Sequence, residues 1–159
     1  MASSVDLRLA EHNIEIPESA PPAANYVPFR IAGSLIYVSG QIPSLRGELQ
    51  YLGRLGENVD VESGYQAARL CGLNLIAQVK VACGGNLDRV KKVVRLGGFV
   101  NSTPDFTDQP RVINGASDLM VDVFGELTGQ HARFAVGAVS LPLGVSVEVD
   151  GTFEIDYNG

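Results

Sequence analysis

Residues 60–85, DVESGYQAARLCGLNLIAQVKVACGG, decide the fold. Asp60 is a good N-cap, because its carboxylate can accept from the first unpaired amides of a helix. Behind it Val61, Tyr65, Ala68, Gly72, Leu75, Val79 and Ala82 recur every three or four residues, the spacing of one helical face. The small Ala68 and Gly72 at the centre of that stripe let the helix lie close on a sheet, and Gly84-Gly85 ends it.

On both sides of this helix the pattern is extended. Upstream, Tyr26 to Ile31, the turn Ala32-Gly33-Ser34 and Leu35 to Ser39 read as a β-hairpin ending at Gly40. Leu35-Ile36-Tyr37-Val38 is apolar on both faces, which predicts burial on two sides. Pro43 to Asn58 is a Gly-rich loop with one short strand at Leu49 to Leu52. Residues 1–25, with a helical pattern at Leu7 to Ala10 and then Pro17, Pro21 and Pro22, form an arm packed on the single domain that runs from 26 to 157. Downstream, Asp88 to Asn101 is rich in β-formers. Asp108 and Pro110 open a second helix through Ile113, Ser117, Met120, Val121 and Phe124, with Gly125 as its stop. Ala132 to Val139 and Val145 to Ile155 are the last two strands.

Hairpin, helix, strand, helix, two strands is an α+β order related to the split βαββαβ plan, a mixed sheet with two helices on one face. Two helices cover one face only. The other face is apolar too, and the same face of another copy is its simplest cover, so a homo-oligomer is expected.

Composition narrows the function. The chain has 159 residues, 12 Lys plus Arg against 18 Asp plus Glu, and a net charge of −6. That balance repels a phosphate backbone, so nucleic acid is a poor partner. Arg69, Lys80, Arg89, Lys91, Lys92 and Arg95 do concentrate bases in one region, which reads as a solvated strand edge guarded against sheet-to-sheet pairing ahead of the other reading, a local RNA site. No apolar run approaches the roughly 18 residues of a membrane span, and the start at Met1 lacks a secretory pattern, so the expected compartment is the cytoplasm. Cys71 and Cys83 are too far apart along one helix for a disulfide and read as buried thiols. Neither they nor His12 and His131 have metal-ligand spacing, and no metal is expected.

Phosphate loops, dinucleotide fingerprints and nucleophile elbows are missing. Ser39, in Val38-Ser39-Gly40-Gln41, reads as a hydrogen-bonding strand-end residue, and His131 as a solvent-edge histidine beside Ala132-Arg133. Arg133 is the odd residue, a charge opening an otherwise apolar or small run. Two readings stand: an ion pair with Glu148, Asp150 or Glu154, or a fork that binds a substrate carboxylate bidentately. Glu148, in Ser146-Val147-Glu148-Val149, is either a surface charge or a carboxylate that positions water or shuttles a proton.

At these residues the chain resembles the Rid or YjgF family of reactive intermediate deaminases, also labelled L-PSP endoribonucleases. Tyr26, Val38-Ser39-Gly40-Gln41-Ile42-Pro43, Phe99-Val100-Asn101, Asn114 and the run from Arg133 through Leu141-Pro142 to Val147-Glu148-Val149 keep the family's order, over Tyr26 to about Glu154. The leader and Leu45 to Glu57 resemble the family's longer branch. The resemblance implies a homotrimer of chorismate-mutase-like subunits with clefts between neighbours, where 2-aminoacrylate and 2-iminopropanoate type enamines and imines are hydrolysed to 2-keto acids and ammonia without a cofactor. It implies that Arg133 binds the carboxylate, that Glu148 holds the attacking water or assists proton transfer, and that Tyr26, Ser39, Gly40 and Asn114 line the cleft. The chain departs from the deaminase pattern at Ala135, where those members carry Cys; this enlarges the cleft or removes a polar wall. A larger imino acid substrate, or a trimeric module that binds a keto acid without turnover, follows from that departure, and RNA cleavage from the older family label.

Overall fold

The computed structural model describes residues 2–156, so Met1 and the expected domain end at 157 lie outside the described residues. In chain order they form α1 (Ser4–Glu11), β1 (Phe29–Ala32), β2 (Leu35–Gln41), the short β3 (Ser44–Leu45) and β4 (Glu48–Leu49), α2 (Val61–Ala82), β5 (Val90–Asn101), α3 (Gln109–Gly129), β6 (Ala132–Ala138) and β7 (Val147–Ile155). The main sheet has the order β1-β2-β7-β5-β6; β5 and β6 run parallel and every other pair is antiparallel. This is the mixed α+β sheet that the element order predicts. None of the described helices is long and apolar enough to cross a membrane.

β7 displays the two faces of the sheet. Val147, Val149, Gly151, Phe153 and Ile155 are buried, while Glu148, Asp150, Thr152 and Glu154 turn the other way. The buried set meets Leu75, Ile76 and Val79 of α2 and Ile113, Leu119 and Met120 of α3, all at most 1 % exposed. Burying each such side chain is worth about 1.5–3 kcal/mol, which fixes both helices on this face. The helix-free face keeps Tyr37, Phe99 and Val136 between 38 % and 49 % exposed. The expected double burial of β2 therefore holds on one face of the protomer: Ile36 and Val38 are buried and Tyr37 is not.

The structure differs from the sequence expectation at three places. Gly72 does serve close packing, but against the other helix: a Cβ there would lie 2.9 Å from Leu119 Cδ2 and 3.4 Å from the Ala116 backbone. Gly115 completes the same contact, since a Cβ on it would collide with the Tyr65 carbonyl oxygen. Gly125, with φ of 80° and ψ of 166°, stops the helix where the sequence places its end, and a short second helical segment resumes beyond the kink and runs to Gly129. The first strand starts at Phe29, not Tyr26, and the strand expected at Leu49 to Leu52 is the β3–β4 hairpin, with Leu52 making one bridge to Val145. On β5, pairing to β6 begins only at Arg95, so Lys91 and Lys92 do lie on an open strand edge. Cys71 and Cys83 are buried and free.

The N-terminal arm is anchored at both ends. Val5 and Ser4 amides donate to the Asp88 carboxylate, and Arg8 donates to the Val121 and Asp122 carbonyls of α3. Ile14 is buried, and further on the Gln78 amide of α2 donates to the Ala20 carbonyl at 2.8 Å.

Candidate active site

The predicted site residues fall into two groups. The first forms around an irregularity in β2. Val38 pairs with Gly151 and Gln41 with Val149, three steps of β2 against two of β7, so Ser39-Gly40 forms a β-bulge. The bulge sets Gly40 over Glu148: a Cβ on Gly40 would stand 2.6 Å from Glu148 Oε1. Ser39 braces this corner, its hydroxyl donating to the Val27 carbonyl at 2.8 Å and its amide to the Pro28 carbonyl at 2.9 Å. Tyr26, Gly40 and Glu148 then line a cavity of about 520 Å³, closed by arm residues 20–24 and by Pro28, Ile42 and Leu143. Burial, and secondarily the Asp150 charge, push the Glu148 carboxyl above its ordinary range, with no hydrogen bond to oppose them.

The second group lies at the β6 edge, on the helix side of the sheet. Arg133 donates to the Ser117 hydroxyl at 3.0 Å and to the Pro110 carbonyl at 3.1 Å. Pro110, Asn114 and Ser117 are four and three residues apart on α3, one helical stripe, so Asn114 sits between the two anchors of the guanidinium, exposed. Ala135, two residues along β6, shares the face of Arg133 and packs on the core. These bonds use two of the five N–H groups a guanidinium carries. The ion pair weighed for Arg133 is not formed; Asp150 pairs with Arg95 at 3.7 Å instead. Burial lowers the Arg133 pKa, opposed by the charge of Asp118.

His131 is not a solvent-edge residue. It is half-buried, with Nε2 2.8 Å from the Ser117 hydroxyl and Nδ1 2.6 Å from the Gly129 carbonyl. A carbonyl only accepts, so Nδ1 carries the proton, Nε2 accepts from Ser117, and the Ser117 oxygen is left to accept from Arg133. Burial first, and the Arg133 charge after it, lower the His131 pKa against the opposing Gly129 bond. The signal for this residue was its position two before Arg133, which places both on one face of an extended chain. Among the described residues no three His, Cys, Asp or Glu side chains are grouped to hold a metal ion.

Within one chain, then, Tyr26, Gly40 and Glu148 share one cavity and Asn114, Arg133 and Ala135 share one edge, but the two groups do not meet.

Residues 6–150 match the family described as YjgF/chorismate mutase-like, putative endoribonuclease. The chain is similar to Protein TCP17 of Trypanosoma cruzi, with 47% identity over 152 residues, 96% of this chain and 94% of that protein. It is also similar to the crystal structure of Atu1372 from Agrobacterium tumefaciens, at 49% identity and a TM-score of 0.89 over 96% of this chain and 92% of that one. A structure described as a putative endoribonuclease from Shewanella oneidensis matches at 40% identity and a TM-score of 0.91, over 96% of this chain and 100% of that one.

Proposed function

The chain belongs to the YjgF/chorismate mutase-like family, and we propose that it hydrolyses reactive 2-imino acids, with their enamine tautomers, to 2-keto acids and ammonia in clefts between copies of itself. The observation that carries this reading is a pair of partly buried charges: among the described residues the Arg133 guanidinium has no acidic partner and the Glu148 carboxylate no hydrogen bond, each in a half-site. A second copy joins them, and three copies, as the family resemblance implies, give three such clefts. The exposed Tyr37, Phe99 and Val136 on the helix-free face supply apolar area for that assembly.

The chemistry follows from these groups. Arg133 and Asn114 fix the substrate carboxylate, which orients the C=N carbon. Glu148 takes a proton from water as the oxygen adds to that carbon and returns it to the nitrogen, which gives a carbinolamine. Glu148 then passes the hydroxyl proton of that carbinolamine to the nitrogen as the C–N bond breaks, so ammonia leaves and the carbonyl of the keto acid forms with no change of oxidation state. Imines already hydrolyse in water, so orientation of substrate and water supplies most of what is needed. RNA cleavage has less support: the net charge is −6 and His131 spends both ring nitrogens inside the protein. Ala135 favours a second reading, binding of a keto acid without turnover. Release of ammonia from freshly generated 2-iminopropanoate separates the two. Acceleration by wild type that falls at least about 100-fold in Arg133→Ala supports hydrolysis; ligand-induced thermal stabilisation without ammonia release supports the binding module.

A further inference from the structure

We infer that the substrate carries a large apolar side chain and that residues 20–24 of the N-terminal arm are the wall that recognises it; the inference rests on the imine-hydrolase reading above. The cavity beside Glu148 measures about 520 Å³, within the range of about 300–1,000 Å³ that encloses drug-sized ligands. A three-carbon imino acid would leave most of it to water. Its arm wall is Ala20-Pro21-Pro22-Ala23-Ala24, which offers no side-chain donor or acceptor, and Ile42 and Leu143 add further apolar surface. Among the described residues Glu148 is the only charged one on the lining, whose other polar side chains are Tyr26, Gln41 and Ser44. An anionic substrate side chain would find no counter-charge there and a cationic one only the carboxylate that the reaction uses, whereas in such a pocket each added methylene is worth roughly 10–200-fold in discrimination.

The wall is held in place. Asn74 and Gln78, one turn apart on α2 and at most 3 % exposed, spend their amides on loop carbonyls: Asn74 on Ile42 and Ser44 at 2.9 and 3.0 Å, Gln78 on Ala20 at 2.8 Å. One helical turn therefore sets the arm on one side of the cavity and the end of the β2 segment on the other. Pro21 and Pro22 restrict the backbone between the tether and Ala23, so the cavity is shaped before ligand arrives. Ala135 keeps the Arg133 half-site free of a polar side chain at the corresponding place.

The test uses the full chain with imines generated in situ from L-alanine, L-leucine and L-phenylalanine by an amino acid oxidase, reading ammonia and 2-keto acid above the uncatalysed rate. The leucine and phenylalanine imines are expected to have kcat/KM at least about tenfold above 2-iminopropanoate, and Ala23→Asp is expected to collapse that ratio. Equal or faster turnover of 2-iminopropanoate overturns the inference, as does a ratio unmoved by Ala23→Asp in a folded oligomer, the result expected if a partner copy fills the cavity. Hydrolysis of none of the three overturns the hydrolase reading instead; the wall is then read by thermal shift, where 4-methyl-2-oxopentanoate stabilising more than pyruvate upholds it and the reverse overturns it.

Discussion

Arg133 and Glu148 stand on opposite faces of one sheet. Arg133 pairs with Leu96 and Glu148 with Phe99, three residues apart on β5, and an odd separation along a strand reverses the face. Leu96 is buried under the helices and Phe99 is 38 % exposed on the other side. Within a protomer the cavity that Glu148 lines does not include Arg133, so the proposed chemistry takes the two groups from two copies.

The Gly40–Glu148 contact gives a test of the carboxylate alone. In Gly40→Ala the new Cβ, 2.6 Å from Oε1, forces Glu148 to swing away. Gly40 has no positive φ, so the backbone accepts the change. A fall in kcat of about 10–100-fold with little change in melting temperature is expected, since displacing a reacting group by an ångström costs that much.

Ser117 holds Arg133 through its hydroxyl. Removing its hydroxyl in Ser117→Ala leaves the guanidinium one protein anchor, the Pro110 carbonyl. KM is expected to rise about tenfold with a smaller change in kcat, because the fork loses orientation rather than charge. Ser117→Thr restores the acceptor and should restore KM, a rescue that a packing defect would not show.

His131 makes stability sensitive to acid. Its folded pKa lies below the ordinary 6.5, through burial and the Arg133 charge, so as pH falls the unfolded chain takes up the proton first. Stability is therefore lost as pH drops from near 6.5 and levels off below the folded pKa. Melting temperatures between pH 7 and pH 5 should slope less in His131→Gln than in wild type; equal slopes would show that other groups dominate.

How much of this was readable in advance depended on the range of the interaction. The order of hairpin, helices and strands was legible because each element carries its own period, as in the stripe from Val61 to Ala82. Readings that needed a distant partner failed. The neighbour of Gly72 is Leu119 of α3, not the sheet, and the helical residues that resume beyond the Gly125 stop were not legible. The faces of Arg133 and Glu148 were hidden because β5, the strand that relates them, lies between β6 and β7 in space though not in sequence. The cavity wall at residues 20–24 was hidden for the same reason, since Gln78 tethers Ala20 from 58 residues away.

The central claim is that each cleft takes Arg133 from one copy and Glu148 from another, and subunit complementation tests it most directly. Arg133→Ala and Glu148→Gln, each inactive as a pure oligomer, are unfolded together and refolded as a 1:1 mixture, with mixed oligomers verified by native mass spectrometry. Random assembly gives about one cleft in four with both native side chains, so the mixture should recover about a quarter of wild-type 2-imino acid hydrolysis. Mixed oligomers that form and stay inactive, beside an active wild type, would contradict the shared cleft.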